Sequence, residues 1–506
     1  MKITPEQLRA EYEAARAYKQ RIGVYDTAQR NERFFIGDQW YGVNAPRDLD
    51  KPVFNILKRV VAYFVATVVS DDVAVSISDL YGEDSLEDVS RQLTAVIETA
   101  SIKDKNRDVI RNAAVDGDGC LYLYFDPDRE TGQAVRGAIA AEVIDNTNLH
   151  FGNPYCDEVE KQPYLIAAVR RRLPEIRAEA MRHGMCREDA MLIQSDMDTN
   201  GEETDADDTR ATMLVRFWKE RDENGIPRVH LMKTVGDQVI MKPTNLGYRR
   251  YPFAWFSWDK VKNSYHGQAA VTGLLPNQIF VNKLFAMSME HVKAMAFPKV
   301  IYNRDMVAGK WNNDIGAAIA VSGDPNRAVA SGFRAPDMSA QVLQMIDKVI
   351  SYTRETMGAN DVILGNVQPD NTSAILAVQK SAIVPLELQR MAFYRYMEDV
   401  VRIILDIMAC DYGVRMTRSE QGQPIQTDFS KLPGMELRTN VDVGASSYWS
   451  ELMQVQTLDR LFERGILSDA ALYLESVPSS YIRNKDKIIE SIKKQQASLG
   501  GEEAAE

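Results

Sequence analysis

The sequence predicts an α+β protein with a strand-bearing first half and a helix-dominated second half. Three observations predict it. Up to about residue 265, short alternating or β-branched runs lie between amphipathic stretches. From Gly267 onward the apolar spacing turns helical. Within the last long stretch, Leu386, Phe393, Val400 and Ile407 recur every seven residues, with Met397 and Ile404 beside them. That is the sustained stripe of an amphipathic helix.

The elements follow in order. Thr4 is a good N-cap, Pro5 suits the first helical position, and Gln7 completes a capping box. A long polar helix is predicted from Pro5 toward Tyr25. A second begins near Asp26 to Asn31, runs through Phe34-Phe35-Ile36 and ends at Gly37. Helices are also predicted over Asn55 to Val69, Leu86 to Thr99 and Asp104 to Asp116. The alternating Val73 to Ile77 reads as a strand. Asp116-Gly117-Asp118-Gly119 reads as a turn leading into a strand over Cys120 to Phe125. A loop over Asp126 to Gly132 follows, then strands at Ala138–Ile144, Tyr164–Arg170, Met213–Lys219 and Val229–Lys233, with a helix over Pro174–His183. Further on, helices are predicted from Leu274 to Ala296, ended by Pro298, and from Ser339 to Met357, closed by Gly358. Short strands and turns fill the stretch between them. A polar loop, Ala359 to Asn371, leads into the longest helix, Thr372 or Ser373 to Cys410, which Pro385 should kink. Glu436 to Val443 alternates like a strand. Three short helices and a tail without structure complete the chain.

Composition narrows the function. A chain of 506 residues suggests roughly two to four compact units. The net charge of -12 excludes a DNA clamp of the repressor type, which needs clustered Lys and Arg, but lets DNA slide past without sticking. Cys120, Cys156, Cys186 and Cys410 form no C-x-x-C pair, which argues against a zinc site or a disulfide framework and fits a reducing cytoplasm. The first residues carry no apolar signal-peptide run, and Val60 to Val69 is too short to span a bilayer, so no membrane partner is expected.

The familiar chemical motifs are missing: there is no P-loop, H-E-x-x-H, G-x-S-x-G or G-x-G-x-x-G. His150, His183, His230, His266 and His291 lack metal-ligand spacing, and ordinary surface or core roles suit them better. Asp196-x-Asp198-x-Asn200-Gly201 begins like a calcium loop. Its twelfth position, however, is Asp207 rather than Glu, and Glu203 replaces the apolar eighth. Seven acids between Asp196 and Asp208 with no Lys or Arg read instead as a solvated acidic loop. No catalytic residue, metal site or cofactor is expected.

Three segments do carry a resemblance. Tyr265-His266-Gly267-Gln268-Ala269, Leu274-Leu275-Pro276-Asn277-Gln278 and Asn282-Lys283 resemble the start of the first stem helix of phage portal proteins. Gly365-Asn366, followed by Asn371-Thr372-Ser373-Ala374, resembles their tunnel loop and the start of the long helix behind it. Phe34-Phe35-Ile36-Gly37-Asp38-Gln39-Trp40 resembles their wing segment. The order of elements is similar to that family over nearly the whole chain, with the P22-like portals nearest.

The resemblance implies a homo-oligomeric ring of about twelve subunits at one capsid vertex. It assigns wing to 1–265 and 414–445, stem helices to 266–297 and 339–358, clip to 298–338, tunnel loop to 359–371, long kinked helix to 372–413, crown to 446–497 and a disordered tail to 498–506. Viral double-stranded DNA would pass non-specifically, meeting Asp361, Asn366, Gln368, Asp370 and Asn371 of the tunnel loop. The clip, with Arg304, Lys310, Trp311, Asn312, Asn313 and Arg327, would dock the terminase large subunit and later a head–tail adaptor. Major capsid and scaffolding proteins would be further partners. The subunit would be assembled in the bacterial host cytoplasm and end in the virion. Two other readings compete. Another ring component of the head–tail junction, such as an adaptor, is usually much smaller and does not fit the order helix, insert, helix, loop, long helix. A DNA-processing enzyme lacks its nucleotide and metal motifs here.

Overall fold

The computed structural model describes residues 3–46, 49–69, 73–79, 86–131, 135–196, 209–296, 299–307, 320–324, 330–333, 340–356, 384–418, 424–434 and 437–443, with a few positions between 455 and 488. Helices and strands are mixed, as the α+β reading expects. The chain divides into two compact units. One comprises Met1–Val69 and Ala100–Gly413, the other Ser70–Thr99 and Val414–Glu506.

The first unit begins with α1 (Pro5–Arg21) and α2 (Val24–Ile36). Thr4 Oγ1 accepts from Gln7 N at 3.3 Å, which satisfies one of the free N–H groups of the first turn. The single helix expected to run toward Tyr25 is broken at Gly23, whose φ of 73° is left-handed. Gly37, at φ 113°, caps α2 as expected. Then come α3 (Ile56–Val68), capped by Asn55, and α5 (Ile102–Asp116). β2 (Asp118–Asp126) lies between β3 (Ala138–Ile144) and β9 (Phe253–Ser257) in a three-stranded antiparallel sheet.

A second sheet has the order β4 (Leu149–Phe151), β5 (Tyr164–Arg172), β6 (Arg210–Arg221), β7 (Pro227–Val235) and β8 (Gln238–Asn245), all antiparallel. Alternation along these strands sends Ile166, Ala168, Leu214, Trp218 and Met232 to one face, where Leu8 and Tyr12 of α1 cover them. A fork from Arg216 to Glu11, at 2.7 and 3.2 Å, fastens the helix to the sheet. Between β5 and β6 lie α6 (Leu173–Arg182) and the short α7 (Arg187–Met191).

α8 (Ala270–Ala296) and α9 (Ala340–Thr356) pack together, with Asn277 Nδ2 donating to Thr353 Oγ1 at 3.2 Å. Between them, β10 (Lys299–Tyr302) pairs with β11 (Ala330–Phe333). Pro385 lies in a 3₁₀ turn, Val384–Leu386, directly before α10 (Glu387–Ile407). The expected helix from 372 to 383 is outside the described residues. Along α10 the seven-residue stripe is filled inside the subunit: Phe393, Val400 and Ile407 are fully buried.

The second unit holds α4 (Glu87–Thr99) against β1 (Val73–Asp79), which pairs with β14 (Leu437–Val443). Ser90 Oγ accepts from Ile77 N at 3.0 Å. β12 (Val414–Arg418) and β13 (Pro424–Asp428) form a separate antiparallel pair. The expected helices after Ser447 lie almost wholly outside the described residues.

Candidate functional site

Of the three segments that drew notice in the sequence, two meet in space at the root of α8. The expected turn at Asp116–Gly119 is smaller than its residues suggest. Only Gly117, with φ 103°, turns the chain; Asp118 and Gly119 already belong to β2. A Cβ on Gly117 would sit 2.6 Å from the Gly267 carbonyl oxygen, and one on Gly119 only 2.2 Å from the Val109 carbonyl oxygen. The residue leading into α8 therefore lies directly on the α5–β2 corner, and only glycine permits that approach.

Asp118 fixes this contact. Its side chain is 1% exposed. It accepts from Ser257 Oγ and from Gly267 N, each at 2.8 Å, while His266 Nδ1 lies 2.7 Å from its other oxygen. Burial lowers the pKa of His266, and the partly opposing pull of Asp118 does not cancel that. A neutral imidazole donating from Nδ1 satisfies the carboxylate, and His266 Nε2 finds no protein partner. Tyr265 is buried beside it, stacked on Phe151 at 4.2 Å between ring centroids. This is the core role expected for His266.

A second network joins α2 to α8. Gln39 Nε2 donates to the Phe34 carbonyl at 3.1 Å, and its Oε1 accepts from Asn282 Nδ2 at 2.7 Å. Gln278 Nε2 donates to the Phe54 carbonyl and to Asn282 Oδ1, while Gln278 Oε1 accepts from Ile56 N at 3.1 Å. Gln39, Gln278 and Asn282 are all buried, so their amides must find such partners or leave dipoles unpaid in a low dielectric. The side chains of Gln278 and Asn282, one turn apart on α8, fix the direction in which the helix leaves the sheets.

Beyond this root, α8 is apolar on more than one face. Val271, Leu274, Leu275, Val281 and Ala286 are buried within the unit, but Met287, Met289, Val292 and Met295 remain exposed. The same stretch carries the ion pair of Glu290 and Lys293, and exposed apolar side chains rimmed by charge in this way mark an interaction surface.

Residues 165–416 match the family model of the phage P22-like portal protein. The chain belongs to that family. The match takes in about half of the chain, from β5 through α8, α9 and α10 to β12. No curated protein matches the sequence.

α8 and α9 fall in the ranges 266–297 and 339–358, where the resemblance expected two helices. The tunnel-loop residues Asp361, Asn366, Gln368, Asp370 and Asn371 lie outside the described residues. So do Lys310, Trp311, Asn312, Asn313 and Arg327 of the clip; Arg304 is described and is exposed just after β10. Of the acidic loop, Asp196 alone is described. It accepts from Thr212 N at 2.9 Å and pairs with Arg170 at 3.2 Å, so its carboxylate ties two strands of the sheet. Among the described residues there is no cluster of acids, histidines or cysteines that could hold a metal ion, and no helix long and apolar enough to cross a membrane.

Lys19, Asp116 and Asp118 were missed from the sequence. Lys19 does carry a signal: it lies on the same face of α1 as Leu8 and Tyr12, at helical spacing, and is fully buried.

Proposed function

We propose that this protein is one subunit of a ring at a single capsid vertex, the channel through which double-stranded DNA is packaged and later ejected. The family match across the stem segment carries the reading. The exposed apolar side of α8 supports it, since a neighbouring copy in a ring would cover Met287, Met289, Val292 and Met295. The role is structural, with no reaction assigned to any residue. The polar loop 359–371 lines the narrowest part of the channel, with Asn366, Gln368 and Asn371 touching the DNA backbone weakly. The segment 298–338 docks the terminase large subunit during packaging and an adaptor afterwards, with Trp311 among its polar neighbours as the anchor. Capsid and scaffolding proteins contact the outside of the ring.

Electron microscopy of the purified chain in negative stain tests this. Rings with a central hole are expected. Compact monomers under all conditions of concentration and salt would overturn it.

A further inference from the structure

The first unit concentrates buried, poorly satisfied ionisable groups at one place: the meeting of α1, the α5–β2 corner and the root of α8. Lys19 is fully buried, and its Nζ donates only to two backbone carbonyls, those of Asn146 and Leu149, the latter at 2.6 Å. Asn146 is itself buried and passes the connection on, its Nδ2 donating to the Asp116 carbonyl at 3.2 Å. Asp116 Oδ1 is buried without a hydrogen-bond partner, as are His150 Nδ1 and His266 Nε2. Asp118 stands beside them, is itself well satisfied, and holds the α8 root through Gly267 N.

Buried polar groups are normally paired, and leaving them unpaired costs stability that hydrophobic packing elsewhere must offset. Here they gather along one string, which runs from α1 through the hydrogen bonds of Lys19 and Asn146 to the Asp116 carbonyl, then through the backbone of residues 116–118 to the contact of Asp118 with Gly267 N. We propose that this string is a conformational joint: a costly set of buried charges and orphaned dipoles that keeps the α1–α8 root contact poised to rearrange. The inference rests on this chain's own geometry and stands whether or not the ring reading does.

Titration agrees in direction. Burial pushes the Lys19 ammonium from its ordinary 10.5 down to about 7, against the pull of Asp118 and Cys120. Burial lowers the pKa of His150 and His266, and the nearby Lys19 charge adds to the fall in both. Burial raises the Asp116 carboxyl from 3.8 to about 7, with Glu32, Asp145 and Asp118 adding to the rise and Arg111 opposing it. The signs are opposite. For Lys19 the unfolded chain holds the extra proton between about 7 and 10.5, so stability rises with pH across that window. For Asp116 the folded chain holds it between 3.8 and about 7, so stability falls as pH rises there. Together they place the weakest point of the joint near neutrality.

The test uses the full chain with Lys19→Met and Asp116→Asn, followed by thermal melting and amide hydrogen exchange. At pH 7 each variant should melt higher by about 2 °C or more. The Lys19→Met gain should shrink by pH 10, and the Asp116→Asn gain by pH 5. Amides at Gly267 and along the last turn of α1 should become better protected in both variants. If Lys19→Met melts lower at every pH or fails to fold, the ammonium is a structural tie and the joint is wrong. Unchanged melting and protection in Asp116→Asn would equally overturn it.

Discussion

Gly119 and Gly267 show how a single residue can decide where an element goes. Neither position could take even a methyl group without moving backbone, since the Cβ of Gly119 would meet the Val109 carbonyl and that of Gly267 the Gly117 carbonyl at 2.9 Å. Backbone in a packed interior yields little. Gly119→Ala should therefore cost about 3 kcal/mol or more, read as a fall in the denaturant midpoint. A loss within a few tenths of a kcal/mol would mean that the corner relaxes freely. In sequence these glycines look like loop punctuation, because nothing local distinguishes a glycine that turns the chain from one that lets a distant backbone segment approach. The buried Asp118 is hidden for the same reason. A carboxylate flanked by two glycines reads as a turn until His266, Ser257 and Gly267, all far along the chain, are seen around it.

At the scale of elements, periodicity was the reliable guide. The strands β1, β2, β3, β5, β6, β7 and β14 and nearly all the longer helices stand close to where alternation, capping and helical spacing predict them. The strands β4, β8 and β9 were not foreseen. β4 has three residues, and β8 contains Pro243 in an otherwise mixed run, so neither shows a period long enough to read. The stripe on α10 was legible, but not its partner. Asn106 of α5 donates to Met397 Sδ and accepts from Tyr396, so the stripe packs within the subunit. Val400→Asp therefore tests folding. It buries an unpaired charge at a fully buried position and should cost on the order of 3–5 kcal/mol, seen as loss of soluble, cooperatively melting protein. On the ring reading proposed above, the surface to alter for assembly is the outer side of α8. Met287 and Val292 are 62% and 55% exposed, so Met287→Glu with Val292→Glu should leave the melting temperature nearly unchanged and abolish rings by light scattering. Full-mass rings from this double variant would place the subunit contact elsewhere.

For the whole molecule, the ring proposed above raises the question of how an acidic chain would handle DNA. A net charge of -12 per subunit means that a ring of such subunits repels phosphate on average. Passage then favours contacts that are many, weak and independent of sequence over a firm grip. The loop 359–371 has the composition for this: Asp361 and Asp370 are acidic, Asn366, Gln368 and Asn371 are polar, and there is no Lys or Arg. In sequence, Gly365 is its residue least restricted in backbone and Pro369 its most restricted. Changing Asn366 and Gln368 to Lys adds two cations per subunit, or about two dozen in an assumed ring of about twelve. Each phosphate that such cations neutralise releases condensed counterions and steepens the salt dependence by roughly one unit of slope. Even a few such contacts would hold DNA at low salt and let it go as screening grows. The double variant should therefore give normal rings and procapsids but slowed or stalled packaging, partly relieved by added salt. Measured in a packaging reaction at low ionic strength, a normal rate would mean that this loop does not touch DNA in transit. The constriction would then have to be sought elsewhere along the channel.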